Sequence, residues 1–140
     1  MALNMLEEQI LNEGPNTIAM VQFESIVGGI CDKYDILMHC DEVMVGFGRT
    51  GQLFGFQNYE GVIPDIVTAA KGLTSALLPI SMCVTRKHIM EAFEDKALGW
   101  GSTYTAHPVA MACAYENVKH LIKSDVVGHV QGWNLSFTIQ

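Results

Sequence analysis

Short apolar segments alternate with amphipathic segments along this chain of 140 residues, and the alternation restricts the fold more than any other feature. The apolar segments lie at residues 18–23, 36–40, 66–68 and 80–84 and predict four strands. Helices are predicted over residues 3–12, from Thr85 to about residue 95, and from His107-Pro108 to about Lys123. Strands that alternate with helices are typical of an α/β fold with a mainly parallel sheet.

Charged residues follow three of the predicted strands at their carboxyl ends. Glu24 follows the first strand, Asp41 the second and Lys71 the third. Because ligands of an open parallel sheet bind beyond the carboxyl ends of its strands, we expect two acids and a lysine at one edge. A lysine in such a site can form an imine with a carbonyl compound, and a carboxylate beside a pyridine nitrogen keeps that nitrogen protonated.

Two segments carry a family resemblance. Residues 40–51, CDEVMVGFGRTG, and residues 64–75, PDIVTAAKGLTS, together resemble the core signature of the class III aminotransferases, which are fold-type-I pyridoxal-phosphate enzymes. The interval of 30 positions between Asp41 and Lys71 is the family interval within a residue or so. The resemblance implies that residues 1–130 form part of a PLP-binding large domain, a partial three-layer α/β sandwich with a mainly parallel sheet. Residues 131–140 have no clear period and are predicted to be an unrelated tail.

The resemblance implies a role for each of five residues. Lys71 forms the Schiff base with pyridoxal 5'-phosphate and later moves a proton between substrate and cofactor carbons. Asp41 pairs with the pyridinium nitrogen, and Val43 packs on one face of the ring. Glu24 lies near the phenolic side of the ring, and Thr103 donates its hydroxyl to the cofactor phosphate of a neighbouring subunit. The implied activity is amino group transfer from an amine or amino acid to a 2-oxo acid, by a homodimer.

The chain departs from the family pattern at several positions. Ser25 replaces the family's proline, and part of a crossover is predicted to be missing near residues 29–30. Only eight residues separate Val27 from Ile36, whereas a parallel crossover needs at least about 10–12, so an ordinary βαβ unit is not expected here. The family's phosphate loop and substrate-binding arginine have no counterpart in these residues. The alternative hypothesis is therefore a catalytically incomplete fragment that acts at most as a dimerisation or interaction module.

Composition excludes several other classes of function. The formal net charge is −7 and no run of Lys and Arg occurs, which argues against nucleic acid or an anionic membrane as a partner. The four cysteines form no C-x-x-C pair, and alternation along a strand separates Cys40 from His39 and Asp41, so no metal site is predicted.

The amino-terminal sequence has neither the basic region nor the apolar region of a signal peptide. We expect an intracellular, cytoplasmic location, and a mitochondrial one stays open. The sequence does not identify the amino donor or acceptor.

Overall fold

The computed structural model describes residues 2–23 and 28–138, which form an α/β fold around a four-stranded sheet. The helices are α1 (Ala2–Glu13), α2 (Gly28–Lys33), α3 (Lys87–Glu91), α4 (Pro108–Lys123) and α5 (Val126–Thr138), and the strands are β1 (Met20–Phe23), β2 (Leu37–Asp41), β3 (Ile66–Ala69) and β4 (Met82–Thr85). The four predicted strands are confirmed, and so are the helices predicted over residues 3–12 and from His107-Pro108 to about Lys123, with small shifts at their ends.

The sheet has the order β1-β2-β3-β4 and is mainly parallel, as predicted. Strands β1, β2 and β3 are parallel neighbours, whereas β4 pairs antiparallel with β3. The expectation that the first two strands are not joined by a βαβ unit is wrong. From the end of β1 to the start of β2 the connection comprises residues 24–36 and contains α2, which suffices for a short crossover.

Both hydrophobic clusters lie on one face of the sheet. Met38 and Cys40 of β2 pack with Cys31 of α2 in the first cluster. Ala69 of β3 packs with Ala114 of α4 in the second. Side chains alternate between the two faces of a strand, and the strand register places Met38, Cys40 and Ala69 on the same face. Helices α2 and α4 therefore cover this face.

The opposite face of the sheet carries a polar row. Gln22, His39 and Asp41 lie on this face of β1 and β2, and Thr68 and Cys83 continue the row onto β3 and β4. The predicted separation of Cys40 from His39 and Asp41 is confirmed, because Cys40 packs with Cys31 on the apolar face whereas His39 and Asp41 both adjoin Thr68 on the other. The sheet thus presents its chemically reactive side chains away from its apolar core.

Helices near the carboxyl terminus differ from the sequence predictions. Helix α3 begins at Lys87 after Arg86 rather than being capped by Thr85, and it ends at Glu91. The last predicted helix ends at about Lys123 and residues 131–140 are predicted to have no clear period, but the structure has a further helix, α5, through Thr138. Its start is capped by Asp125, whose carboxylate accepts the Gly128 N–H at 3.3 Å. Trp133 is 57% exposed.

In the ranges 2–23 and 28–138, no helix is both long enough and apolar enough to cross a lipid bilayer.

Glu42 holds the loop that follows β2. Its side chain is fully buried, and its two carboxylate oxygens accept the N–H groups of Gly55 at 2.8 Å and Phe56 at 2.9 Å. Between them the chain turns at Gly48 and Gly51, whose φ angles of 99° and 82° lie in the left-handed region that favours glycine. A buried carboxylate therefore closes the loop of residues 42–56 onto itself.

The structure predicts a fixed order of cysteine alkylation. The thiolate is the reactive form of cysteine, and burial, reinforced by the Glu42 carboxylate, raises the pKa of Cys40 to about 11. Burial also raises the pKa of Cys31, whereas Cys83 is exposed on β4. Iodoacetamide at pH 8 should label Cys83 first and should label Cys31 and Cys40 only after unfolding, as measured by peptide mass spectrometry. Early labelling of Cys40 in the folded chain would contradict the assigned sheet face.

Glu42→Ala should destabilise the chain strongly. The substitution leaves two inward-facing N–H groups without their acceptor, which costs about 3 kcal/mol in the free energy of unfolding. Glu42→Gln keeps one acceptor oxygen and should lose about half as much. Both losses of stability can be measured by urea unfolding that is monitored by circular dichroism. Glu60→Ala, at an exposed position, is the matched control. Equal midpoints for Glu42→Ala and Glu60→Ala would show that the carboxylate does not hold the loop.

Candidate active site

The carboxyl ends of β2 and β3 bring two predicted site residues to the same edge of the sheet. Asp41 is the last residue of β2 and pairs in register with Thr68 of β3. The Glu42 N–H donates to the Thr68 carbonyl at 2.7 Å and extends the ladder by one further bond. Lys71 follows Thr68 by three positions and opens a short 3₁₀ helix, Lys71–Leu73. Two residues that lie 30 positions apart in the sequence thus leave adjacent strand tips in the same direction.

The Asp41 carboxylate is half-buried and oriented by two neighbours. Its Oδ1 accepts the Val43 N–H at 3.0 Å, an Asx turn that fixes the side chain at the end of the strand. Its Oδ2 lies 3.5 Å from the Gln22 amide nitrogen of β1. Val43 is half-buried in the same turn. Within the described ranges Asp41 makes no ion pair, so its charge is oriented but not neutralised.

Lys71 extends from an unusual backbone conformation. Its φ angle is 39°, in the left-handed region that residues other than glycine rarely adopt. The side chain is exposed, and its ammonium donates to the Met44 sulfur, three residues after Asp41. No ion pair forms between Lys71 and any residue that the structure describes. The amine is therefore held over the turn that follows Asp41 and has no carboxylate partner there.

His39 and Thr68 connect the strands behind this edge. His39 is 8% exposed, and its Nε2 lies 2.9 Å from the Thr68 hydroxyl. Its Nδ1 is buried and has no hydrogen-bond partner in the described part of the chain. Thr68 is the register partner of Asp41, so the His39–Thr68 pair adjoins the carboxylate within the same polar row.

The glycine after Lys71 permits a close approach between two loops. A Cβ atom at Gly72 would lie 2.8 Å from the Cβ of Phe47 and 3.3 Å from the Gly46 carbonyl oxygen. Phe47 packs with Leu73 in the cluster beneath. The Lys-Gly pair and the Gly-Phe-Gly segment are therefore parts of one packed unit, which the sequence alone presents as two separate motifs.

Glu24 and Thr103 are the remaining predicted site residues. Glu24 lies outside the described residues. Thr103 is exposed in a turn between α3 and α4. Sequence reasoning overlooked Gln22, Met44 and Thr68, and alternation from Asp41 along paired strands is the signal that could have found Gln22 and Thr68.

Two cavities lie away from Asp41 and Lys71. One of about 300 Å³ is lined by residues 128, 129, 132 and 133 of α5. The other, of about 200 Å³, is at the amino edge of the sheet beside Asp65, Arg86 and His88. Asp41 and Lys71 are the better candidate site, because they place an oriented carboxylate and an exposed amine at the tips of adjacent strands. Neither cavity has this combination.

Comparison with known proteins identifies the family of this chain. Residues 3–138 match the family described as Aminotransferase class-III. The hypotaurine/taurine–pyruvate aminotransferase of Paracoccus denitrificans is 43% identical over 110 residues, which cover 67% of this chain and 24% of the relative. The putrescine–pyruvate aminotransferase of Pseudomonas aeruginosa is 38% identical over 147 residues, which cover 93% of this chain and 32% of the relative.

A solved structure shows the same fold. It is the taurine:2-oxoglutarate aminotransferase of Bifidobacterium kashiwanohense, in complex with PLP and glutamate, with a TM-score of 0.88 and 40% identity. The match covers 97% of this chain and 34% of that one, so this chain spans about a quarter to a third of the length of these relatives. On the combined evidence of sequence and fold, the chain belongs to the class III aminotransferase family.

Proposed function

We propose that this chain supplies the lysine and the acid of a pyridoxal-phosphate transaminase site. The observation that carries the proposal is the pair at the strand tips. An exposed amine and a half-buried carboxylate leave adjacent parallel strands, and neither forms an ion pair in the described ranges. A direct salt bridge would have occupied both groups, whereas here each is available to a ligand that reaches between them.

The residues present fit pyridoxal 5'-phosphate. When bound, this cofactor supplies an aldehyde that captures amines and a ring that takes up electrons from the carbon next to the captured nitrogen. Lys71 carries the amine that would hold the aldehyde end, and the Asp41 carboxylate is the acceptor that suits a protonated ring nitrogen. Val43, in the turn after Asp41, would pack on one face of the ring.

Two of the chain's own residues would carry out the proton movements. With the cofactor bound, the free Lys71 amine would act as the base that takes a proton from the substrate carbon, and the resulting ammonium would then return that proton as an acid. The Asp41 carboxylate would hold the ring nitrogen protonated, and the Val43 N–H and the Gln22 amide orient that carboxylate. Glu24 would lie beside the phenolic oxygen, and Thr103 would donate to the phosphate held by the neighbouring subunit of a homodimer.

The proposed reaction moves an amino group from an amine or amino acid to a 2-oxo acid. Support comes from the relatives, whose names specify taurine, hypotaurine or putrescine as donor and pyruvate or 2-oxoglutarate as acceptor. The alignment with the putrescine–pyruvate enzyme spans 147 positions but includes only 93% of the 140 residues of this chain. Within the aligned region, the relative therefore has residues that have no counterpart here.

The alternative function is that of a dimerisation or interaction module without catalysis. The observation that favours it is coverage, because the matched relatives are about three times as long as this chain. Cofactor capture by the isolated chain separates the two proposals, since a module that only pairs with other chains does not need a reactive Lys71.

Borohydride should trap pyridoxal phosphate on Lys71. The exposed amine at the strand tip should form a covalent adduct that gains visible absorbance on mixing and becomes permanent on reduction. Peptide mass spectrometry should find the label on Lys71 in preference to Lys87, which is also exposed. Lys71→Ala should lose the absorbance and the label, and Lys87→Ala should keep both. Labelling spread evenly over the lysines would support the interaction module instead.

Asp41→Asn should weaken cofactor binding with little change in folding. The amide oxygen still accepts the Val43 N–H, but the charged hydrogen bond to the ring nitrogen is lost, which costs about 1.5–3 kcal/mol. The dissociation constant for pyridoxal phosphate, measured by fluorescence titration, should rise at least about tenfold. Asp32→Asn, at an exposed position of α2, is the control. Equal affinities for the two variants would remove Asp41 from the proposed site.

A further inference from the structure

The turn that carries Lys71 holds three left-handed residues. Lys71, Ser75 and Ala76 have φ angles of 39°, 52° and 64°, and none of them is glycine. Such conformations are sparsely populated and persist where the surrounding structure determines them. The turn of residues 71–76 must therefore be held from outside.

Asn117 of α4 makes the hydrogen bonds that hold this turn. Its amide nitrogen donates to the carbonyl oxygens of Gly72 at 2.9 Å and Leu73 at 3.0 Å. Its amide oxygen accepts the Ser75 hydroxyl at 2.8 Å. One half-buried side chain thus satisfies two carbonyl groups and one hydroxyl of a segment more than 40 positions away in the sequence.

The position of Asn117 on its helix is unusual for a polar residue. Ala110, Ala114 and Leu121 share its side of α4 at helical spacing, and Ala114 and Leu121 pack against the cluster that contains Leu73. An asparagine among these apolar neighbours contributes nothing to the hydrophobic core. The turn explains why an amide stands at this position, because both its nitrogen and its oxygen form hydrogen bonds to the turn.

We propose that Asn117 is a positioning residue for Lys71, which rests on the function proposed above. Asn117 fixes the carbonyl groups of the two residues that follow Lys71, and it thereby fixes the left-handed backbone from which the amine reaches the Met44 side of the edge. Loss of Asn117 frees the turn to relax, and the amine then samples directions away from Asp41. The effect reaches the reaction only through Lys71, because Asn117 contacts the turn and not the amine.

Hydrogen exchange and cofactor labelling together test this proposal in the full chain. In Asn117→Ala, the Leu73 and Thr74 amides, which bond to Ala70 and Lys71 within the turn, should exchange about tenfold faster. Labelling of Lys71 by pyridoxal phosphate and cyanoborohydride should slow by about the same factor. Asn117→Asp keeps the side-chain shape and the acceptor for Ser75 but loses both bonds to the carbonyl groups, so it should show most of the effect of Asn117→Ala. Ser75→Ala removes one of the three bonds without changing α4 and should give a smaller effect in the same direction.

Asn58→Ala is the matched control. Asn58 also donates to a carbonyl and a hydroxyl, those of Gly55 and Thr50, but in a loop that does not carry Lys71. It should leave both the exchange of residues 71–76 and the labelling of Lys71 at wild-type rates.

The outcomes separate this inference from the proposed function. Unchanged exchange in Asn117→Ala and Ser75→Ala overturns the inference, and so does faster exchange with undiminished labelling of Lys71. If the wild-type chain takes no label, the proposed function fails and the positioning role fails with it, whereas the exchange rates still show whether Asn117 holds the turn.

Discussion

Parallel pairing of β2 with β3 is the constraint on which the candidate site depends. Asp41 lies opposite Thr68, and the Glu42 N–H bonds to the Thr68 carbonyl at 2.7 Å. A slip of one residue would exchange the two faces of β2, which would place Asp41 among the apolar side chains of α2 and expose Cys40. The free-energy cost of burying an unpaired carboxylate therefore disfavours this slip. The observed register places Asp41 and Lys71 at one edge of the sheet.

Close packing of two loops explains why glycines surround the reactive residues. The buried Glu42 carboxylate folds the chain after β2 back on itself, and this brings Phe47 against Gly72. At Gly46 a Cβ atom would lie 2.7 Å from the Glu42 carbonyl oxygen. Glycine is thus required at both positions by space. The two sequence motifs occur together because each supplies one side of the same contact.

The sequence predicted most of the sheet and the positions of Asp41 and Lys71 at its edge. Apolar periodicity located all four strands, and the strand-end pattern placed Asp41 and Lys71 after adjacent strands, where the structure has them. Periodicity did not reveal α5, because residues 126–138 contain two glycines and no Asp, Glu, Lys or Arg. Periodicity within one strand also did not reveal the Gln22 contact with Asp41, because that contact requires the pairing of β1 with β2 in addition to the alternation of side chains. The crossover between β1 and β2 was misjudged because it was counted from Val27 and not from the end of β1 at Phe23.

The relatives indicate what this part of the fold does not determine. Two of them are 43% and 38% identical to this chain, yet their names specify taurine-type donors in one case and putrescine in the other. A segment shared so closely by enzymes with different donors is suited to the chemistry that they have in common. In the proposed site, Lys71 and Asp41 at the strand tips would supply an amine and an acid for that chemistry at fixed positions. Under this proposal, the choice of donor depends on surfaces that contact the substrate beyond this edge of the sheet.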